Sequence, residues 1–209
     1  METSYHIVIE GIDGCGKSTQ TKLLVERLKA RYPERNVIAV FEPGSSSLGA
    51  QLRKIAISSE SAETRLLAVS LDRALIHEEI ILPAIDRGDI IVSDRSFAST
   101  VAYQGFGELL DPKIIQTLCD LAIGTTVPDA FFWIDTPVPV ALARLKASGK
   151  NPDYLESKGV SFFEAVREGY LVVCESLGGV SITDNNLTPE EISDGLFEIT
   201  VDGIGCVGN

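Results

Sequence analysis

The chain has little of the chemistry that most catalytic sites draw on. Among its 209 residues there are two histidines, one tryptophan and one methionine. His6 lies in the first apolar run and His77 in a long helical pattern, so a Ser-His-Asp or Cys-His mechanism has almost nothing to work with, and isolated histidines of this kind are usually structural or solvent-facing. Cys15, Cys119, Cys174 and Cys206 are scattered, with no C-x-x-C pair and no histidine cluster. That spacing argues against zinc and against a disulfide framework, and leaves free thiols. Basic residues are also scarce: 18 Lys and Arg face 30 Asp and Glu, and no cationic run offers a footprint for a nucleic acid polymer. The longest apolar runs, such as "DIIV" and "AFFWI", fall far below the roughly 18 residues that span a bilayer. The start, "METSYHIVIEG", lacks the cationic and apolar parts of a signal peptide. No membrane partner is expected, and the expected location is the cytoplasm.

What is present is a regular alternation. "YHIVIE", "NVIAVFE", "DIIVSD", "AFFWID" and "GVSITD" are rich in β-branched or aromatic residues, and each has the length of a buried strand. Between and after them lie helical patterns over Lys17 to Tyr32, Ser47 to Ile57, Ala62 to Arg87, Pro112 to Ile123, Val138 to Ser148, Ser161 to Leu177 and, more weakly, Pro189 to Val201. Strands that alternate with helices and are apolar enough to be covered on both faces predict right-handed crossovers and a five-stranded parallel sheet, a three-layer α/β fold in one domain over residues 1–209. The closing "VDGIGCVGN" reads as a frayed tail. Ligands of open parallel sheets collect beyond the carboxyl ends of the strands, where turns at Gly11, Glu42 and Asp94 would meet.

The strongest motif follows the first strand. "GIDGCGKS", Gly11 to Ser18, fits G-x-x-x-x-G-K-[ST] between a strand and a helix. The glycines let backbone N–H groups point inward, the helix start adds its positive end, Lys17 reaches the outer phosphates, and Ser18 is a ligand for Mg²⁺. Asp94, which ends "IIVSD", is the candidate second metal-site residue; its rival Asp135 precedes a proline turn and reads better as a helix cap. Asp13 inside the loop sets a negative charge beside phosphates, which is costly unless a metal or a donor hydroxyl faces it. Phosphoryl transfer needs further cations, and Arg53, Arg73 and Arg95 follow "EPG", sit mid-helix in "SLDRAL", and follow Asp94. With the loop, they suggest a second anion site.

These segments resemble the thymidylate kinase family, nucleoside monophosphate kinases that make dTDP from dTMP and ATP. The resemblance runs from about His6 to Val173 and rests on "EGIDGCGKSTQ", "FEPGSSSLGAQLRK", "LDRALIHEEIILPAIDRGDIIVSDRSFASTVAYQG", "PDAFFWIDTPVPVALARL" and "FFEAVREGY". It implies a P-loop NTPase fold with a short lid at about 146–159, ATP and a deoxynucleoside monophosphate as substrates, Mg²⁺, and a homodimer. Gly11, Ile12, Asp13, Gly14, Cys15, Gly16, Lys17, Ser18 and Thr19 would hold ATP, with Asp13 near the acceptor. Glu42 lies in the "EPG" turn of the acceptor side. Arg53 and Arg95 match arginines that grip the acceptor phosphate, and Arg73 one that bonds the pyrimidine edge. Thr100 and Gln104 fall where the base is read, and Tyr103 where a ring disfavours a 2′-hydroxyl. Arg144 at the lid's base, with Lys146 and Lys150 in it, would supply lid charge, so that Lys17, Asp13, Arg95 and Arg144 form the catalytic set.

Three positions depart from the family pattern. Val69 stands where an aromatic ring commonly stacks on thymine, Tyr154 stands just after Asp153 where a lid arginine is expected, and Ser96 replaces a tyrosine. The expectation is a dTMP kinase. The alternatives are a kinase for another deoxynucleoside monophosphate, such as dUMP, dGMP or 5-hydroxymethyl-dUMP, and a nucleotide-binding regulatory protein without turnover.

Overall fold

The computed structural model describes residues 3–149, 153–183 and 187–207. Five strands form one parallel sheet: β1 (Tyr5–Glu10), β2 (Val37–Phe41), β3 (Ile90–Asp94), β4 (Ala130–Asp135) and β5 (Val180–Thr183), in the order β2-β3-β1-β4-β5. Every residue of β1 is buried because it lies between β3 and β4 and under helices, which explains its unbroken apolar run. The register aligns Ile9 with Asp94 and Asp94 with Phe41, so the loops leaving β1, β3 and β2 emerge at one level.

The helices are α1 (Lys17–Arg31), α2 (Gly49–Ser58), α3 (Ala62–Ile76), α4 (Leu82–Arg87), α5 (Phe97–Thr100), α6 (Pro112–Ile123), α7 (Val138–Ala147), α8 (Val160–Ser176) and α9 (Pro189–Val207). One layer pairs α1 with α9 through Gln20 Nε2 to the Pro189 carbonyl (2.8 Å) and Arg27 to Asp194 (2.6 Å). In the other layer α3, α5, α6 and α8 pack together. Fully buried Phe132, Phe163 and Tyr170 join Ile7 and Ile9 in the main core. Each such aliphatic side chain contributes about 1.5–3 kcal/mol. Among the described residues no helix is long and apolar enough to cross a membrane.

The strands and most helices lie where the sequence pattern predicts them, with three differences. The predicted helix Ala62 to Arg87 is interrupted by a π-helical turn, His77–Ile81, in which the Leu82 N–H bonds the His77 carbonyl. Pro83 has no N–H to give, and its ring conflicts with the carbonyl four residues back, so the helix widens there. A helix that the pattern did not predict, α5 followed by the π-helical segment Val101–Gly107, fills the stretch after β3. It is seated by close approach rather than propensity: a Cβ on Gly169 would lie 2.7 Å from Ala102 Cα, and one on Gly107 2.6 Å from the Phe162 ring. The third difference is the closing stretch, expected to be frayed, which is helical up to Val207, while residues 208–209 lie outside the described residues. Helix α9 continues to Val207 because Ile204 is buried and Gly203 packs on the Tyr5 ring, where a Cβ would come within 2.0 Å of the hydroxyl.

Both histidines are buried and structural in their surroundings. His6 Nε2 lies 2.9 Å from Ser93 Oγ, and burial together with nearby His77 pulls its pKa from 6.5 to about 3. Burial and Arg73 pull His77 to about 4. Each imidazole stays neutral when folded but takes a proton in the unfolded chain below about pH 6.5. Their contribution to stability is therefore complete above pH 6.5 and is lost as the pH falls toward about 4 and about 3. We expect His6→Gln, which can still bond Ser93, to flatten the fall in unfolding free energy between pH 6.5 and 4, measured by urea titration at several pH values. An unchanged slope would contradict it.

Candidate active site

The phosphate loop is shaped by its own buried side chains. Ile12 and Cys15 point into the core, the Cys15 N–H bonds the Ile12 carbonyl (3.2 Å), and burial pushes the Cys15 thiol pKa up. Gly11 has no room for a side chain, since a Cβ would sit 2.6 Å from Cys15 Sγ and 2.8 Å from the Ile134 carbonyl. With the inner letters anchored, Asp13, Gly14, Gly16, Lys17, Ser18 and Thr19 line a groove whose other wall is Leu142, Arg144, Leu145 and Lys146 from α7, followed by Ser148 and Glu156. Lys150 lies outside the described residues.

A second cleft contains Lys17, Ser18, Asp94, Arg95, Glu42 and Arg53. Ser18 Oγ donates to Asp94 Oδ2 at 2.5 Å. Asp135 does not cap α7, whose cap residue is Pro137 with no side-chain bond; it takes two hydrogen bonds from Arg167, at 2.5 and 2.8 Å. The predicted helix-cap role of Asp135 is therefore replaced by an ion pair, because the proline turn carries its carboxylate toward α8. Among the described residues no three His, Cys, Asp or Glu side chains gather into a metal site.

The third space is an inner cavity lined by Glu42, Arg53, Val69, Arg73, Arg95, Thr100, Tyr103 and Gln104, all eight of the residues assigned from sequence to the acceptor side. Arg73 is spread over three partners: Glu42 Oε2 (2.7 Å), Thr100 Oγ1 (2.8 Å) and the Ser96 carbonyl (2.8 Å). Burial raises Glu42 to about 6 against the pull of Arg73. Arg53 holds the "EPG" turn by donating to the Pro43 carbonyl (2.8 Å), and Asp72 fixes the same turn through Gly44 N–H (2.6 Å) and Ser46 Oγ (2.5 Å).

Asp13 borders all three spaces. The sequence left its charge without a partner, and the structure supplies one on every side. Tyr103 donates its hydroxyl to Asp13 Oδ2 (2.7 Å) and accepts from the Asp13 N–H (3.0 Å), Lys17 Nζ lies 3.4 Å from Oδ1, and Arg95 Nη2 makes the closest contact. Burial alone would raise the carboxyl, but Arg95, Lys17 and Tyr103 outweigh it and hold Asp13 well below the usual carboxylate range.

Arg95 itself is held by residues that sequence reasoning missed. Its backbone is left-handed, φ 78, an uncommon state for a side chain of this size and one that surrounding contacts must impose. Its N–H bonds the Ile9 carbonyl (3.1 Å), and Nη1 donates to Ser99 Oγ and Tyr170 OH, both at 3.0 Å. Ser96 and Ser99 are in turn gripped by fully buried Glu10, which accepts from the Ser96 N–H (2.7 Å), Ser96 Oγ (3.0 Å), Ser99 N–H (3.2 Å) and Ser99 Oγ (2.7 Å). Glu10 closing a buried strand was the available signal. Tyr170 had none beyond its helix.

A phosphate loop, a hydroxyl bonded to a carboxylate beside it, and an adjoining arginine-lined cavity define a P-loop phosphotransferase. The thymidylate kinase family model matches residues 9–195. The chain belongs to the thymidylate kinase family. It is 41% identical over 189 residues to the thymidylate kinase of Fervidobacterium nodosum, covering 89% of this chain and 93% of that protein. It is 35% identical over 184 residues to that of Synechococcus sp. strain CC9311, covering 84% and 86%. The crystal structure of thymidylate kinase from Ehrlichia chaffeensis superposes with a TM-score of 0.77 at 28% identity, over 94% of this chain and 98% of that one.

The Tyr170 hydroxyl touches Arg95 and Ser99 (2.8 Å) from behind, and Tyr170 itself lines none of the three spaces. We expect Tyr170→Phe to cost about 1 kcal/mol of stability and to lower kcat/KM for the acceptor while the KM for ATP holds. Thermal melts and steady-state kinetics read the two effects separately.

Proposed function

We propose that the chain transfers the γ-phosphoryl of ATP to the 5′-phosphate of dTMP, giving dTDP and ADP. The observation that carries this reading is Asp13 at the junction of a phosphate-loop groove, a cation-lined cleft and an arginine-lined cavity, in a member of the thymidylate kinase family. ATP would lie along the groove, its outer phosphates on Lys17 and the loop N–H groups. The acceptor would enter the inner cavity, its phosphate between Arg53 and Arg95 and its base toward Arg73, Thr100 and Gln104. Arg95, already in contact with Asp13, need only exchange a carboxylate for a phosphate. Catalysis is then positioning and charge neutralisation, with Lys17 and Arg144 facing the transferring group, and with Asp13 holding Arg95 until the acceptor phosphate takes its place while Ser99 and Tyr170 continue to orient it. The segment 146–159 would act as the lid that excludes water.

Mg²⁺ fits the cleft by donor chemistry: one hydroxyl and one carboxylate, both hard oxygen donors, leave room for phosphate oxygens and water. Ser18 and Asp94 would hold it, directly or through water, and it would supply charge neutralisation for the phosphates. The working compartment is the cytoplasm and the working form a homodimer. Leu67 and Leu71 of α3 and Ile114 and Leu121 of α6, four exposed apolar side chains on helices that pack together, support the dimer. Sedimentation equilibrium should give twice the chain mass, and a monomer at micromolar concentration would refute it.

A second reading, another deoxynucleoside monophosphate as acceptor, is favoured by one observation. Val69 in the cavity wall offers contact but no ring face. A coupled ADP-release assay over dTMP, dUMP, 5-hydroxymethyl-dUMP and dGMP decides between them: dTMP is expected to be turned over best, and no turnover of dTMP beside turnover of another acceptor would reverse the order. Arg95→Ala should lower transfer by about 10²–10³-fold while ATP binding is kept, and undiminished turnover would remove Arg95 from the mechanism.

A further inference from the structure

Arg65 lies on α3 in the same stripe as Val69 and Arg73, one residue every fourth position, and like them it lines the inner cavity. Its guanidinium is only 1% exposed and forms a two-bond ion pair with the equally buried Glu108: Nε reaches Oε2 at 3.2 Å and Nη2 contacts Oε1. The remaining amino group donates to the Ser59 carbonyl. A buried pair of this kind is poor evidence for stability, since apolar side chains of similar size commonly do as well. What distinguishes it is the company it keeps.

The face of the Arg65 guanidinium is covered by the Tyr154 ring, 4.6 Å from Cζ to centroid. Lys158 closes the cluster, with Nζ 3.5 Å from Glu108 Oε1, 5.0 Å from the Tyr154 centroid and 5.4 Å from that of Phe162. Tyr154 is held in this pose by a reciprocal pair of bonds around it, Asp153 N–H to Glu156 Oε2 (2.9 Å) and Glu156 N–H to Asp153 Oδ1 (2.8 Å), the arrangement that starts a helical turn, here Glu156–Lys158. Its neighbours Asp153 and Leu155 form part of the inner cavity wall. Glu108 also accepts from Gln104 Nε2 at 3.4 Å, so one carboxylate joins the residue placed to read the base to the segment that covers the cavity.

We infer that Arg65 and Glu108 are positioning residues that anchor the 153–158 segment through Tyr154 over the acceptor cavity, so that this segment, with Asp153 and Leu155 in the wall of that cavity and Glu156 at the phosphate-loop groove, governs how tightly the monophosphate is enclosed more than it governs ATP. The tyrosine that stands where the family pattern expects a lid arginine thus serves a different purpose: its ring receives an arginine supplied from α3. The inference rests on the acceptor assignment above.

The test uses the full chain with ATP and the best monophosphate varied independently. Tyr154→Ala, at a partly exposed position, should raise the KM for the monophosphate about ten-fold and leave the KM for ATP within about two-fold; Tyr154→Phe, which keeps the ring, should behave as wild type. Because Arg65→Met alone would strand Glu108, the charge pair is removed together as Arg65→Met with Glu108→Leu. Melting as a folded protein, that variant should give the same KM split as Tyr154→Ala. A change confined to the KM for ATP, no change in either KM, or Tyr154→Phe matching Tyr154→Ala would each overturn the inference. Wild type failing to turn over any monophosphate would overturn the acceptor assignment and this inference together, whereas wild-type turnover with an unmoved acceptor KM in Tyr154→Ala overturns the anchoring alone.

Discussion

The contact between Asp13 and Arg95 ties the loop after β1 to the loop after β3, and the rest of the site is arranged around it. A carboxylate in a phosphate loop demands cations, and a buried arginine demands a carboxylate and further acceptors. Each group answers the other's requirement while the site waits for anions. Behind the pair stand Glu10, Ser99 and Tyr170, whose hydrogen bonds hold Arg95 in a backbone state it would not choose alone. The charges proposed to meet phosphate are thus oriented beforehand, and little reorganisation would remain for the moment of transfer.

The strands and the helices with a clear apolar period were legible in the sequence, because a parallel sheet covered on both faces leaves short β-branched runs that few other structures produce. The phosphate-loop motif was legible in the sequence, and the eight positions that the family resemblance assigns to the acceptor share one cavity. The helical stretch from Phe97 to Gly107 was not. "FASTVAYQGFG" has β-branched residues and glycines that disfavour a helix locally, and tertiary contacts hold it, the close approach to α8 at Gly107 and Gly169 and the Glu10 bonds to Ser99 among them. Asp135 was misread for a related reason: local grammar suggests a cap, and the arginine that claims it comes from 32 residues further on. Arg65 had a visible signal, its four-residue spacing from Val69 and Arg73, whereas Glu108 had none, since its role exists only once α3 and the 153–158 segment converge on it.

The cavity wall also trades one kind of recognition for another. Val69 gives up a flat aromatic surface, while four positions to either side of it along α3 the guanidinium groups of Arg65 and Arg73 are locked by carboxylates, Glu108 for one and Glu42 for the other. A rigid, polar-edged cavity of this sort discriminates by leaving a buried donor or acceptor unmatched when the wrong base enters, which is a stronger filter than the loss of dispersion contact.

The packing of Gly203 against Tyr5 sets the order in which the molecule can be finished. Strand β1 leaves the ribosome first, yet its neighbours in the sheet are β3 and β4, the hydroxyl that steadies Arg95 comes from Tyr170, and the last helix closes over Tyr5. The centre of the sheet is therefore assembled from contacts distant along the chain, whose loop closures must be completed before they are rewarded. A chain that lacks β3, β4 or α8 has the phosphate-loop letters but not the surroundings that give them shape.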